Sequence, residues 1–237
     1  MNAMMREVQN IDHAAQNYEN AMAHYILCAS GKKDANVLRE ILLNTIFDKS
    51  NLQDIWLPID FPWLTARILL CLDGHMEYDR EIVNAVVNLV NGFDQKVGWK
   101  SLSPEWVSNE ESNSVCIDAL LSYLDKIGDG RDDAICVIQD TYKLCKANLP
   151  RAIECIYNWK LGDDILDVRS HVFSTTTMMK ILIYNNEKNT VEYFRLLDAL
   201  DKFIDRFLES PDTVSTGQNS MKAQLLHSIF TAIRNQT

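Results

Sequence analysis

The chain has few of the residues that interrupt regular structure, with 5 prolines and 8 glycines among 237 residues. All-β folds need many turn residues, so this scarcity argues against them and favours a helical protein. The hydrophobic fraction of 47% is enough for a sizeable core in one domain spanning residues 1–237. We therefore expect a single all-α domain.

The sequence also lacks clustered positive charge, long apolar runs and paired cysteines. The net charge is −10 and the basic residues are scattered, which argues against nucleic acid and anionic membrane surfaces as partners. No apolar run reaches the ~18 residues of a membrane span, and residues 1–7 carry no signal-peptide core. The 6 cysteines form no CxxC pair, which predicts free thiols in a reducing compartment. We expect a cytoplasmic protein with no membrane span, no metal and no cofactor.

Dense apolar runs with a small or hydroxylated entry recur roughly every 45–60 residues, a spacing typical of helical-pair repeats. The clearest run, residues 61–72, is entered through Pro62 and Trp63. The other runs occupy residues 20–28, 114–124, 174–183 and 220–229. Amphipathic helices are predicted between them at 35–48, 79–93, 132–147 and 190–208. Pro150 is expected to open a shorter, separate helix that reaches Trp159.

Three loop-to-helix junctions combine an acid with a tryptophan, and two of them also contain glycine. The best example is Asn91-Gly-Phe-Asp-Gln-Lys-Val-Gly-Trp99, and weaker ones lie at 51–56 and 159–168. The pattern resembles the QW loops of the α/α-toroid superfamily of squalene–hopene cyclases, class II terpene cyclases and protein prenyltransferase β-subunits. The resemblance implies an α/α toroid. The sequence predicts about nine or ten helices, too few for a full toroid, so we expect a short or partly open barrel completed by a second copy of the chain.

The same resemblance implies an enzyme that folds an apolar polyene or isoprenoid-like substrate in a central cavity and promotes ring closure. In that family, an acidic motif at the start of an inner helix protonates the substrate. The matching residues here are Glu110 and Glu111, with Ser108 at the position of the first acid. A carboxyl group can do this only when burial and neighbouring charge raise its pKa. The alternative is that the two glutamates interact with the dipole of the helix N-terminus.

One position of the inner helices carries a polar residue in an otherwise apolar run. When the helices are overlaid through their leucines, this position holds His24, Arg67, Asp118 and Lys222. In a toroid it faces the central cavity, which makes Arg67 and Asp118 candidate catalytic residues and His24 and Lys222 candidate substrate contacts. The alternative is a structural Arg67–Asp118 ion pair, because an unpaired buried charge is costly.

Further candidates lie near the junctions between predicted helices. His171 is predicted in the loop that begins at residue 160, where it is either a catalytic group or a surface histidine. The tryptophans at the junctions either stabilise carbocations by cation–π attraction or hold the loops in place. The remaining predicted substrate contacts are Trp63, Trp99, Trp106 and Met179.

Two other functions stay open at this point. A non-catalytic helical-repeat protein would bind a partner through its concave face. Asp163-Asp-Ile-Leu-Asp167 matches the D-D-x-x-D motif with which class I prenyltransferases hold Mg²⁺ and diphosphate, or the match is due to chance. Charge inside the inner helices favours the cyclase-like enzyme, because a scaffold has no need of it.

Overall fold

The computed structural model describes residues 62–72, 80–100, 108–128, 130–160, 163, 165–209 and 229. Its regular elements are α1 (Pro62–Leu72), α2 (Arg80–Asn91), α3 (Asn109–Tyr123), α4 (Arg131–Asn158), α5 (Ile165–Tyr184) and α6 (Val191–Leu208). Within these ranges the only β-type pairing is an isolated bridge between Asp94 and Gly98. The all-α class is therefore confirmed for the part of the chain that is described. No helix in that part combines the length and apolarity needed to cross a membrane.

The six helices alternate between two layers. α1, α3 and α5 pack on one another in that order, and α2, α4 and α6 lie against them in the second layer. The hydroxyl of Tyr123, at the end of α3, donates a hydrogen bond to the carbonyl of Leu69 near the end of α1 at 2.8 Å. The carboxyl ends of these two helices therefore lie side by side, and α1 and α3 run parallel.

α3 and α5 are buried on nearly all sides, whereas α6 keeps one face in solvent. Every residue of α5 from 172 to 182 is buried, including the polar run that begins at Ser174. The hydroxyls of Thr176 and Thr177 both donate to the carbonyl of Phe173 at 2.9 Å. A hydroxyl that bonds to its own helix can be buried at low cost. The small hydroxylated entries seen in the sequence thus belong to helices surrounded by other helices.

The apolar core has two centres, and α4 contributes to both. The first centre lies among α1, α2, α3 and the beginning of α4, with Leu120 and Ile138 among its fully buried residues. The second lies among the rest of α4, α5 and α6 and includes Ile156 and Phe203. Tyr142, in the middle of α4, packs against both centres.

α3 begins at Asn109, five residues before the apolar run of residues 114–124. Ser108 is the N-cap, and its hydroxyl accepts a hydrogen bond from the backbone N–H of Glu111 at 3.1 Å. The spacing Ser-x-x-Glu is that of a capping box, which is a strong local signal for a helix start. The earlier start places Glu110 and Glu111 in the first turn of the helix.

α4 is one helix of 28 residues, so the prediction that Pro150 opens a separate helix is wrong. Proline cannot donate the backbone hydrogen bond of its position, which disfavours it inside a helix. Pro150 is exposed, however, whereas Leu149 and Ile153 on either side of it are buried in the second core centre. Burial of that apolar face holds the helix together across the missing bond.

The end of α4 is closed by a cation from α6. The guanidinium Nη1 of Arg206 donates to the carbonyls of Tyr157 at 2.7 Å and Trp159 at 2.8 Å. These carbonyls have no partner within their own helix, and a positive charge is favourable at a helix C-terminus. Because Arg206 is near the end of α6, the carboxyl ends of α4 and α6 lie together.

α5 begins at Ile165, nine residues before the predicted start at residue 174. The prediction that residues 160–167 form a loop therefore fails from Ile165 onwards, and His171 lies in a helix. Residues 165–184 contain neither glycine nor proline. Val168 and Val172, four residues apart, bury one side of the added turns, which explains the longer helix.

The loop of residues 92–100, between α2 and α3, is fixed by Trp99. Its indole N–H donates to the carbonyl of Leu89 and its backbone N–H donates to Oδ1 of Asn113, each at 2.7 Å. The ring is fully buried and meets the edge of Phe93 with the ring centres 5.0 Å apart. Trp99 therefore holds the loop in place, which is the structural role that the sequence left open for it.

Gly98 should be required by this loop. Its φ of +73° is strained for other residues, and an added Cβ would lie 2.1 Å from Oδ1 of Asn113. We expect Gly98→Ala to lower the free energy of unfolding by roughly 2–4 kcal/mol. Gly128→Ala is the matched control, since no atom lies within 4 Å of its Cβ position, and it should change stability little. Urea unfolding of both variants checks this, and equal stabilities would contradict it.

Candidate functional site

The contact between α3 and α5 contains two buried ion pairs. Nη2 of Arg169 lies 2.8 Å from Oε2 of Glu111, with side-chain exposures of 14% and 7%. Nζ of Lys180 binds Oδ2 of Asp118, with exposures of 5% and 13%. Each pair joins a carboxylate of α3 to a cation of α5. Charges this well buried are stable only when paired, so the two helices are tied together electrostatically.

The order of the two pairs fixes the direction of the helices. Glu111 precedes Asp118 by seven residues on α3, and Arg169 precedes Lys180 by eleven residues on α5. Both separations are close to whole numbers of helical turns, so each pair of charges lies on one face of its helix. Since the first carboxylate meets the first cation, α3 and α5 run parallel, as α1 and α3 do.

The partner of Asp118 is Lys180, whereas the sequence suggested Arg67 as one alternative. Arg67 lies in α1, and its side chain is outside the described part of the structure. The sequence does indicate that Lys180 takes part in an ion pair, since it is the one charged residue between positions 172 and 184. A charged side chain in such an apolar run needs a buried partner.

Glu110 of α3 lies within electrostatic range of His171 on α5. The charge of Glu110 acts on both His171 of α5 and Cys145 of α4, and Arg151 of α4 also acts on His171. Glu110 and His171 are half-buried, whereas Cys145 is buried. His171 is two residues beyond Arg169, on nearly the opposite face of α5. Two of the predicted catalytic residues are therefore close enough for their charges to interact, and neither takes part in the two buried ion pairs.

Burial controls the protonation of this group of residues. Desolvation lowers the pKa of His171 below its usual 6.5, Arg151 lowers it further, and Glu110 opposes the shift. Desolvation, together with the charge of Glu110, raises the pKa of the Cys145 thiol to about 12. At neutral pH the imidazole is therefore neutral and Cys145 is an unreactive thiol. A neutral imidazole can accept a proton, and a protonated carboxyl group can deliver one.

The predicted substrate contacts are spread over the molecule. Trp63 is half-buried on α1 against the first core centre, Trp99 holds its loop, and Met179 is fully buried in the second core centre. Trp106, His24 and Lys222 lie outside the described residues. The described contacts do not gather these side chains around Glu110 and His171.

The acidic motif at 163–167 is divided between a turn and a helix. Asp163 is exposed, and its Oδ2 accepts the backbone N–H of Lys160 at 2.8 Å. Asp164 and the side chain of Asp167 lie outside the described residues, although the backbone of Asp167 belongs to α5. Among the described residues, no three side chains of histidine, cysteine, aspartate or glutamate are grouped to hold a metal ion.

Comparisons with protein-family models, with curated proteins and with solved structures find no match to this chain.

The Asp118–Lys180 pair should behave as a buried bridge when its partners are removed. Asp118→Leu and Lys180→Met each leave one buried charge unpaired, and each should cost roughly 3–5 kcal/mol of stability. The double variant should recover most of that loss. The exposed pair Asp198–Lys202, with exposures of 52% and 50%, is the control and should show a coupling below about 1 kcal/mol. Chemical unfolding measures both cycles, and simple additivity at Asp118 and Lys180 would contradict the assignment.

The lowered pKa of His171 predicts a pH dependence of stability. The unfolded chain binds more protons than the folded one between the lowered pKa and about 6.5, so stability falls as the pH falls through that window. We expect wild type to lose more stability than His171→Gln between about pH 7.5 and about pH 5. The other histidines are the same in both proteins and cancel in the difference. Urea unfolding across the window measures it, and parallel curves would rule out a buried neutral His171.

Proposed function

We propose that the chain is a small cyclase-like enzyme that binds an apolar polyene or isoprenoid-like substrate and promotes ring closure. The observation that carries the proposal is that Glu110, at the start of an enclosed helix, lies within electrostatic range of the half-buried His171. Such a pair can add a proton to an alkene and remove one from the cyclised cation. The product is then an isomer of the substrate, and no cofactor is consumed.

The geometry gives the two residues different tasks. Glu110 is in the first turn of α3, at a position that matches an acid of the cyclase motif, and we assign the delivery of the proton to its protonated form. His171 is kept neutral by desolvation, so it can receive the proton that leaves the final cation. The ion pair of Glu111 with Arg169 holds α3 and α5 beside each other and so fixes the two helices that carry Glu110 and His171.

The helix arrangement supports an α/α toroid as the scaffold. Three successive helices of one layer are parallel, and each intervening helix returns along the second layer, as repeated helical hairpins in a barrel would require. We propose that the barrel encloses the substrate and that a second copy of the chain completes it. The enzyme would be cytoplasmic, as the cysteine usage indicates.

A non-catalytic helical-repeat protein is the second candidate. The two buried ion pairs favour this scaffold, because they link α3 and α5 directly. They account for four charged side chains without any substrate. In that case the parallel helices would serve as a rigid support for a partner protein. The enzyme needs Glu110 and His171 for turnover, whereas the scaffold does not.

Turnover of linear isoprenoids separates the two candidates. Purified protein is incubated with squalene and with farnesol, and products of unchanged mass are sought by gas chromatography and mass spectrometry. Glu110→Gln and His171→Gln should each lower the rate by roughly a hundredfold or more, since each removes a general acid or base. Their melting temperatures should stay close to that of wild type.

Glu154→Gln is the control, because it removes an exposed glutamate of α4 whose charge is not among those that act on His171 or Cys145. It should retain full activity. Cyclised product from wild type that persists unchanged in both site variants would remove Glu110 and His171 from the mechanism. A complete lack of product from wild type with either substrate would favour the scaffold.

A further inference from the structure

Two polar groups on one face of α3 are buried without a hydrogen-bond partner in the described structure. Ser114 is 0% exposed, and its Oγ makes no hydrogen bond. Asp118 gives Oδ2 to Lys180, while its Oδ1 is buried and makes no hydrogen bond. Residues four apart lie on the same helix face, so the hydroxyl of Ser114 and the second oxygen of Asp118 are neighbours.

Unpaired polar groups in a protein interior are unusual. More than about 90% of buried polar groups have a partner, because leaving one unpaired costs about 1–3 kcal/mol. A molecule that supplies the missing hydrogen bonds at Ser114 and Asp118 would therefore be bound by them. Asp118 keeps 13% of its side chain exposed, although its Oδ1 is buried.

The chemistry of the two groups defines what fits between them. Asp118 is neutralised by Lys180, so the position does not call for a cation. Oδ1 needs a donor, and the hydroxyl of Ser114 can donate or accept. One hydroxyl group satisfies both, since it donates to the carboxylate and accepts from the serine. The neighbouring residues Val115, Ile117 and Ala119 are apolar, so the rest of such a ligand would be apolar too.

We propose that Ser114 and Asp118 bind the hydroxyl group of an apolar alcohol and thereby hold the polar end of the substrate. This inference rests on the proposed function and narrows its substrate class from polyenes in general to those with a terminal hydroxyl. It also gives Asp118 a binding role instead of the catalytic role expected from the sequence. Lys180 acts here as a positioning residue, because it fixes the carboxylate and leaves one oxygen for the ligand.

Competition binding with a matched pair of ligands tests the proposal. The probes are farnesol and the hydrocarbon in which hydrogen replaces its hydroxyl, each displacing a fluorescent isoprenoid from the full chain. Wild type should prefer the alcohol by roughly tenfold, the effect of one or two well-formed hydrogen bonds. Ser114→Ala should reduce the preference to less than about threefold. It should fold normally, because it removes only an unpaired buried hydroxyl.

Ser112→Ala is the matched control. Its hydroxyl is also buried on α3 without a described partner, but it lies on another face of the helix. The preference for the alcohol should survive in this variant. Equal binding of alcohol and hydrocarbon to wild type, as expected if ordered water alone occupies the position, would overturn the inference and leave the proposed enzyme standing. Binding of neither ligand would overturn both, and an equal effect of the two serine variants would overturn the inference alone.

Discussion

Charge buried between two parallel helices is the constraint on which the described structure depends. α3 and α5 are enclosed by other helices, and apolar contacts alone would permit them to slide or rotate at small cost. The pairs Glu111–Arg169 and Asp118–Lys180 remove that freedom, because any shift would strand a charge in the interior. The position of Glu110 relative to His171 follows from this alignment.

Much of the fold could be predicted from the sequence, and the errors have a common cause. α2 and α6 lie close to their predicted ranges, because each has one apolar and one polar face whose period is visible locally. The predictions fail at Pro150 and at the start of α5. In both places the local sequence favours a break in the helix. The free energy gained by burying apolar residues in the second core centre outweighs that preference, and the sequence alone does not display this core. Whether the layers close into a ring is a matter of long-range packing.

The sequence indicates individual candidate residues of the site but not the residues that they contact. Glu110, Asp118 and His171 stand out as polar residues near or within apolar runs, which is a local feature of the sequence. The partners of these residues have no such local feature. Lys180 lies 62 positions beyond Asp118 and meets it only because two helices are aligned. The role of Asn113 in holding Trp99 was hidden for the same reason. Local patterns indicate which residues need a partner, and packing decides which one they receive.

The length of α4 has a consequence for how the molecule responds to disturbance. A helix of 28 residues is about 42 Å long, and this one is built into both core centres. Neither centre can loosen without exposing apolar surface along the shared helix, so their opening is coupled into one cooperative unit. Pro150 interrupts the internal hydrogen bonds of that helix on its exposed side. Bending concentrated there would strain the second centre, because Leu149 before the proline and Ile153 after it both belong to that centre, and the shared helix would pass the strain on to the first.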